Sequence, residues 1–145
     1  QRRERRMNLP PLNDETGKPG TPLNPYEVTF DRAFVQGFLD KTGESADDYA
    51  VAGQPVVPPG IYLAAYGRLI HESFHYTAGV HVSSDMKVLA MAPVGTKATV
   101  SGEVLGLSER NGDKYVTFSV NVTDTTGTRL AEIEHVSIYA LRPRT

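Results

Sequence analysis

The chain has 145 residues, 39% of them hydrophobic and 22% charged, which suits one domain with a core of its own. A net charge of −2 argues against general affinity for nucleic acid or an anionic membrane, and the lack of cysteine removes disulfides, thiolate nucleophiles and Cys-based zinc sites. No stretch approaches the roughly 18 apolar residues of a membrane span, and no apolar run follows the charged start Gln1 to Arg6. Neither a spanning segment nor a signal peptide is therefore predicted, and a cytoplasmic setting is expected.

Met7 is one candidate start, with residues 1–6 foreign to the protein; a disordered basic arm is the other reading. Residues 8–25 are rich in Pro, Gly, Asn, Asp and Thr, and their prolines exclude a helix. Residues 1–20 are taken as an irregular or disordered lead-in and 21–145 as a single domain. Tyr26–Phe30 reads as a short strand. Asp31 can cap a helix from Arg32 to Lys41 that carries Phe34, Val35, Phe38 and Leu39 on one face, and Gly43 stops it. Glu44 to Pro58 is a polar, then Pro-rich, connection without obvious secondary structure. A helix from about Pro59 to His75 follows. Between Ile61 and Ile70 its only charge is Arg68, so burial on nearly every side is expected.

Four strand signals complete the chain, at about His81–Met91, Thr96–Ser108, Lys114–Thr125 and Arg129–Leu141. Asn111-Gly112-Asp113 and Thr126-Gly127 read as hairpin turns. In the third signal Val116, Phe118, Val120 and Val122 share a face. In the fourth, the period slips between Glu132 and Val136, which predicts a bulge there. The fold class is α+β, an antiparallel sheet wrapped around one long helix.

This order of elements resembles the hot-dog fold. Tyr26-Glu-Val-Thr-Phe-Asp31, Phe38-Leu-Asp-Lys-Thr-Gly43, Val57-Pro-Pro-Gly60 and Met91-Ala-Pro-Val-Gly-Thr96 look like the corresponding segments of MaoC-like hydratases and dehydratases. The resemblance implies a substrate carried as a thioester on coenzyme A or acyl carrier protein, no separate cofactor, and water added to or removed from an enoyl or 3-hydroxyacyl group. It also implies sheet-to-sheet pairing into a homodimer or larger assembly, or a heterodimer with a paralogue. The family's loop reads Gly-Asp-x-Asn-Pro-x-His, and its Asp and His hold and deprotonate the water. Here the loop reads Gly43-Glu-Ser-Ala-Asp-Asp-Tyr49, with Glu44 and Tyr49 at those two places and no Asn-Pro pair. The helix entry shows Pro59-Gly60 where the family usually has His-Gly.

Three readings follow. Glu44, alone or with Asp47, Asp48 or Tyr49, forms a modified acid/base set; or the chain binds thioesters as the non-catalytic partner of an active paralogue; or it hydrolyses thioesters. The plain alternative for each acid is a solvated loop residue. Gly60 is the candidate oxyanion donor at the helix N-terminus, against simple tight packing. Pro58, Pro59, Tyr62 and His81 are candidate substrate contacts. His81 qualifies only if it faces inward, and Tyr62 and Tyr66 also suit core or dimer packing. His71-Glu72-Ser73-Phe74-His75 matches a zinc-binding spacing on one helix face, but a third ligand is not evident and no metal is expected. His135 sits at the predicted bulge, which can re-aim a side chain toward a site, but an edge or subunit contact is the favoured expectation.

Overall fold

The computed structural model describes residues 8–75 and 79–143, so the expectations for residues 1–7 lie outside it. Strand β1 spans Tyr26–Phe30 and helix α1 spans Arg32–Thr42. Asp31 caps α1 by accepting the Phe34 N–H at 2.8 Å. Gly43 ends it in the left-handed conformation (φ 73°), where a side chain is disfavoured. Val35 and Leu39 are buried as predicted, whereas Phe34 is 45% exposed and meets the Phe30 ring edge-on.

The segment from Glu44 to Pro58 is more ordered than its composition suggests. A 3-10 turn at Ala46–Asp48 leads into a hairpin of β2 (Ala50–Val51) and β3 (Gln54–Pro55). Ala52 and Gly53 close it with φ of 51° and 79°, the positive pair of a tight hairpin turn. Ala-Gly lacks the usual Asn-Gly signature, so the sequence does not announce the turn. The hairpin docks onto the turn at Ala92–Val94, where the Val57 N–H donates to Ala92 O at 2.8 Å and Val56 bridges to Pro93.

Helix α2 spans Ile61–His71, shorter than the predicted Pro59–His75. Beyond it Ser73 Oγ donates to Leu69 O at 2.6 Å and accepts the Asn24 N–H at 2.9 Å. A hydroxyl that satisfies a carbonyl of the last turn and ties in the lead-in gives the chain an alternative to another helical turn. His75 then donates its N–H to Pro10 O. His71 and His75 therefore do not share a helix face, and the zinc-like spacing has no helical geometry behind it.

Strands β4 (Val80–Val88), β5 (Thr96–Arg110), β6 (Asp113–Asp124) and β7 (Arg129–Ala140) join β1 in an antiparallel sheet of order β1-β5-β6-β7-β4. Asn111 and Gly112, with φ of 53° and 86°, make the tight β5–β6 turn. Val116, Phe118, Val120 and Val122 are at most 1% exposed, and each such side chain contributes about 1.5–3 kcal/mol by leaving water. On β5, a Cβ at Gly102 would lie 2.1 Å from Ser119 O, so only glycine lets β6 approach there.

Ile61, Tyr62, Ala65, Leu69 and Ile70 of α2 share one core cluster with Val100, Val104 and Phe118 of the sheet. The helix is not buried all round as predicted. Ala64, Arg68 and His71 are exposed, and Leu63, Tyr66 and Gly67 are half-buried. One sheet covers one side of a helix, so the opposite apolar flank stays open in a single chain. Arg68 is accommodated at that margin, 4.1 Å above the Tyr26 ring and paired with Glu72 at 3.0 Å. Tyr26 donates its hydroxyl to Ala65 O at 2.7 Å, and burial pushes that hydroxyl's pKa up to about 12. Leu12 and Leu23 of the lead-in are buried in the core. Among the described residues no helix is long and apolar enough to cross a membrane.

Candidate functional site

The inner face of β7 runs without interruption through Ala131, Ile133, His135, Ser137 and Tyr139, all buried. Its registers with β4 and β6 are continuous from Ala131 to Val136, so the predicted bulge between Glu132 and Val136 is absent. What looks like a slipped period in sequence is two polar residues, His135 and Ser137, facing the core. His135 is 2% exposed and belongs to the interior, not to an edge.

The bulge is on β4 instead. His81 pairs with Ser137 and Ser83 with Val136, which leaves Val82 as an extra residue. In a regular strand His81 and Ser84, three apart, would face opposite ways. The added residue turns both toward the helix side, opposite Ser137 and His135.

A continuous hydrogen-bonded chain results. His81 Nε2 lies 3.1 Å from Ser84 Oγ, which lies 2.8 Å from His135 Nδ1; His135 Nε2 lies 2.6 Å from Ser137 Oγ. The Tyr66 ring stacks on His135 at 4.0 Å between centroids, and His81 stacks on the same imidazole at 4.9 Å. Burial, reinforced by the neighbouring His81, lowers the His135 pKa from 6.5 to about 4. A neutral imidazole has one donor and one acceptor nitrogen, and both are used here. His81, His135 and Ser137 border a cavity of about 350 Å³ against the open flank of α2, with Leu63, Tyr66, Gly67 and Ile70 on the helix side.

The other predicted residues lie elsewhere. Glu44 and Tyr49 come together, the Tyr49 hydroxyl donating to Glu44 Oε2, and that bond raises the tyrosine pKa. Glu44 is exposed, and neither residue borders the cavity of His81. At the helix entry Pro58 is buried, Pro59 half-buried and Gly60 exposed. The N–H groups of Ile61, Tyr62 and Leu63 donate to the carbonyls of Pro58, Pro59 and Gly60 at 3.0, 3.1 and 3.2 Å, so the first turn satisfies its own donors. A Cβ at Gly60 would meet the Phe38 ring at 3.1 Å, which gives the glycine a packing reason. Tyr62 is 1% exposed and packs edge-on to Phe30 at 5.5 Å, in the core and away from the cavity. Of the predicted contacts, His81 alone borders that cavity. Sequence reading passed over Ser84, His135 and Ser137 as a group. The available signal was parity: counted from Ala131, both His135 and Ser137 fall on the buried face. Among the described residues no three His, Asp or Glu side chains group closely enough to hold a metal ion.

No family model and no curated protein matches this chain in sequence. Solved structures do match its fold. A monoamine oxidase regulatory protein from Archaeoglobus fulgius is similar with a TM-score of 0.76 and 15% identity, over 92% of this chain and 97% of that one. A MaoC-like dehydratase from Rhodospirillum rubrum is similar with a TM-score of 0.68 and 15% identity, over 92% and 99%. The C-terminally truncated HadBC complex from Mycobacterium tuberculosis, a (3R)-hydroxyacyl-ACP dehydratase, is similar with a TM-score of 0.68 and 16% identity, over 83% and 96%. The chain thus has the hot-dog fold expected from its sequence, in the arrangement found in MaoC-like dehydratases. At these identities the likeness is one of fold.

Proposed function

We propose that this chain is a MaoC-like acyl-thioester hydratase/dehydratase that works as a dimer, either of two copies or with a second hot-dog chain. The carrier is coenzyme A or acyl carrier protein, and the thioester is substrate, with no cofactor required. One observation carries the reading: the open apolar flank of α2 borders a ligand-sized cavity beside β4, the terminal strand of the sheet. An edge strand with exposed Val80, Val82 and Val88 invites pairing with another chain. A partner there would cover the flank and close the cavity around an acyl chain. Fold likeness to a dehydratase complex supports the same arrangement.

A second reading has its own observation. Glu44 and Tyr49 bond to each other away from the cavity, as expected of a subunit that binds thioesters without using its loop. Purified protein is assayed with crotonyl and longer enoyl thioesters, alongside Glu44→Gln and measurement of mass in solution. Turnover by a dimer supports the leading reading. Turnover that survives Glu44→Gln removes Glu44 from the mechanism. Binding without turnover supports the subunit reading, and neither binding nor turnover overturns both.

A further inference from the structure

We propose that Ser137, His135, Ser84 and His81 form a proton relay that is this chain's acid/base unit for an enoyl or 3-hydroxyacyl thioester in the cavity, an inference that rests on the thioester reading above. Ser137, 6% exposed, ends the relay on the cavity wall, and His81 ends it on the exposed edge strand. Between them every gap is 3.1 Å or less.

The chain of bonds can run in either direction. With a proton on His135 Nε2, Ser137 accepts from it, Ser84 donates to Nδ1 and His81 donates to Ser84. With the proton on Nδ1, every donor and acceptor reverses. Switching between these two patterns moves one proton from one end to the other, which is what a relay must do. His135 enters the exchange uncharged, because burial and His81 keep its pKa near 4. Among the described residues, the titratable side chains around it are His81 from β4 and Tyr66 from α2, with His71 of α2 on the same cavity.

A purely structural role explains the arrangement poorly. His135 and Ser137 sit opposite Phe118 and Val116 of β6, whose inward positions are all apolar. Apolar residues at the same places would continue the core without needing partners, since a buried polar group contributes little net stability even when bonded. The bulge at Val82 has the further consequence of bringing the exposed His81 into line.

Hydration then proceeds with atoms and electrons balanced. Water oxygen bonds to C3 of the enoyl thioester as one of its protons passes to Ser137 Oγ. The Ser137 proton moves to His135 Nε2, the Nδ1 proton to Ser84, and the Ser84 proton to His81 Nε2. The C2=C3 electron pair moves through C2 onto the thioester oxygen as an enolate. The relay runs back, the proton is delivered to C2, and the product is the 3-hydroxyacyl thioester. Dehydration is the reverse. Ser137 is the catalytic residue that meets the substrate; His135, Ser84 and His81 are positioning and relay residues.

The test uses the full chain with crotonyl-CoA as substrate and butyryl-CoA, which cannot be hydrated, as binding probe. Ser84→Ala cuts the relay at its middle. His81→Gln keeps a hydrogen-bonding group but cannot pass a proton, and His81→Ala opens a place for free imidazole. The expected result is wild-type hydration, a kcat lower by about 100-fold in Ser84→Ala and His81→Gln, unchanged butyryl-CoA affinity, and partial rescue of His81→Ala by imidazole. Wild-type hydration with full activity in both relay variants overturns the relay and leaves the thioester reading standing. Losses that imidazole does not rescue show a structural role and overturn the relay too. Butyryl-CoA binding without wild-type hydration overturns the relay while keeping a binding function, and neither binding nor hydration overturns both. Ser137→Ala and His135→Gln are added if their melting curves match wild type. Ser84 and His81 are the less buried members, so their variants decide the question if those two misfold.

Discussion

Two polar regions of this molecule differ in what surrounds them. In the loop before α2, Glu44 and Tyr49 satisfy each other at the surface, where water competes for both. On the inner face of β4 and β7, His135 and Ser137 are buried beside the cavity, with His135 stacked under Tyr66 and joined through Ser84 to His81. The loop, where the sequence resemblance places an acid/base pair, puts neither residue on the cavity. The strands have no family motif but carry the cavity, the burial and the altered histidine. Sequence position and chemical environment thus point to different parts of the chain, and only the environment changes a pKa where a substrate could sit.

The largest expected effect comes from Ser84→Ala. Without that hydroxyl, His135 Nδ1 and His81 Nε2 lose the group that joins them and the relay is cut. Thioester turnover is expected to fall by about 100-fold or more, while the melting curve shows a folded domain. If turnover persists, the contrast between the two regions has no catalytic meaning. His135→Leu comes next. It leaves the Ser84 and Ser137 hydroxyls without their shared partner, and denaturant unfolding is expected to show a loss of about 1–3 kcal/mol.

Acid tests the same site with its sign fixed. The folded pKa of His135, about 4, lies below the ordinary 6.5, so the unfolded chain binds the extra proton first. This contribution to stability is complete above about 6.5 and is lost as pH falls toward 4. Thermal midpoints measured across that window are expected to fall with pH in wild type, and less steeply in His135→Gln. Gly67→Ala is smaller and of opposite sign. A Cβ there meets nothing within 4 Å, and removing a mid-helix glycine is expected to stabilise by about 0.5–1 kcal/mol. Tyr49→Phe is the smallest: the exposed loop bond is expected to leave the unfolding midpoint unchanged. A clear loss there would raise the loop to the standing of the buried site.

Much was legible from local chemistry. Asp31 and Gly43 bound α1 because a cap and a left-handed stop need only neighbouring residues. Asn111-Gly112 makes its turn for the same reason, and Val116 to Val122 show their buried face by alternation alone. The hairpin at Ala52-Gly53 was not legible, because its support comes from the distant turn at Ala92–Val94. Nor was the end of α2, which Asn24 and Ser73 fix from far apart in sequence.

The candidate site divides along the same line. The sequence by itself determined the order of elements, the core face of β6 and the apolar character of α2, since each is written in the spacing of adjacent side chains. Tertiary structure alone decided that β4 bulges at Val82, that His81 and Ser84 share a face, and that one flank of α2 stays open over a cavity. A bulge is a mismatch between two strands and an open flank is a lack of partner surface. Both are properties of pairs of elements, and no single stretch of sequence contains a pair.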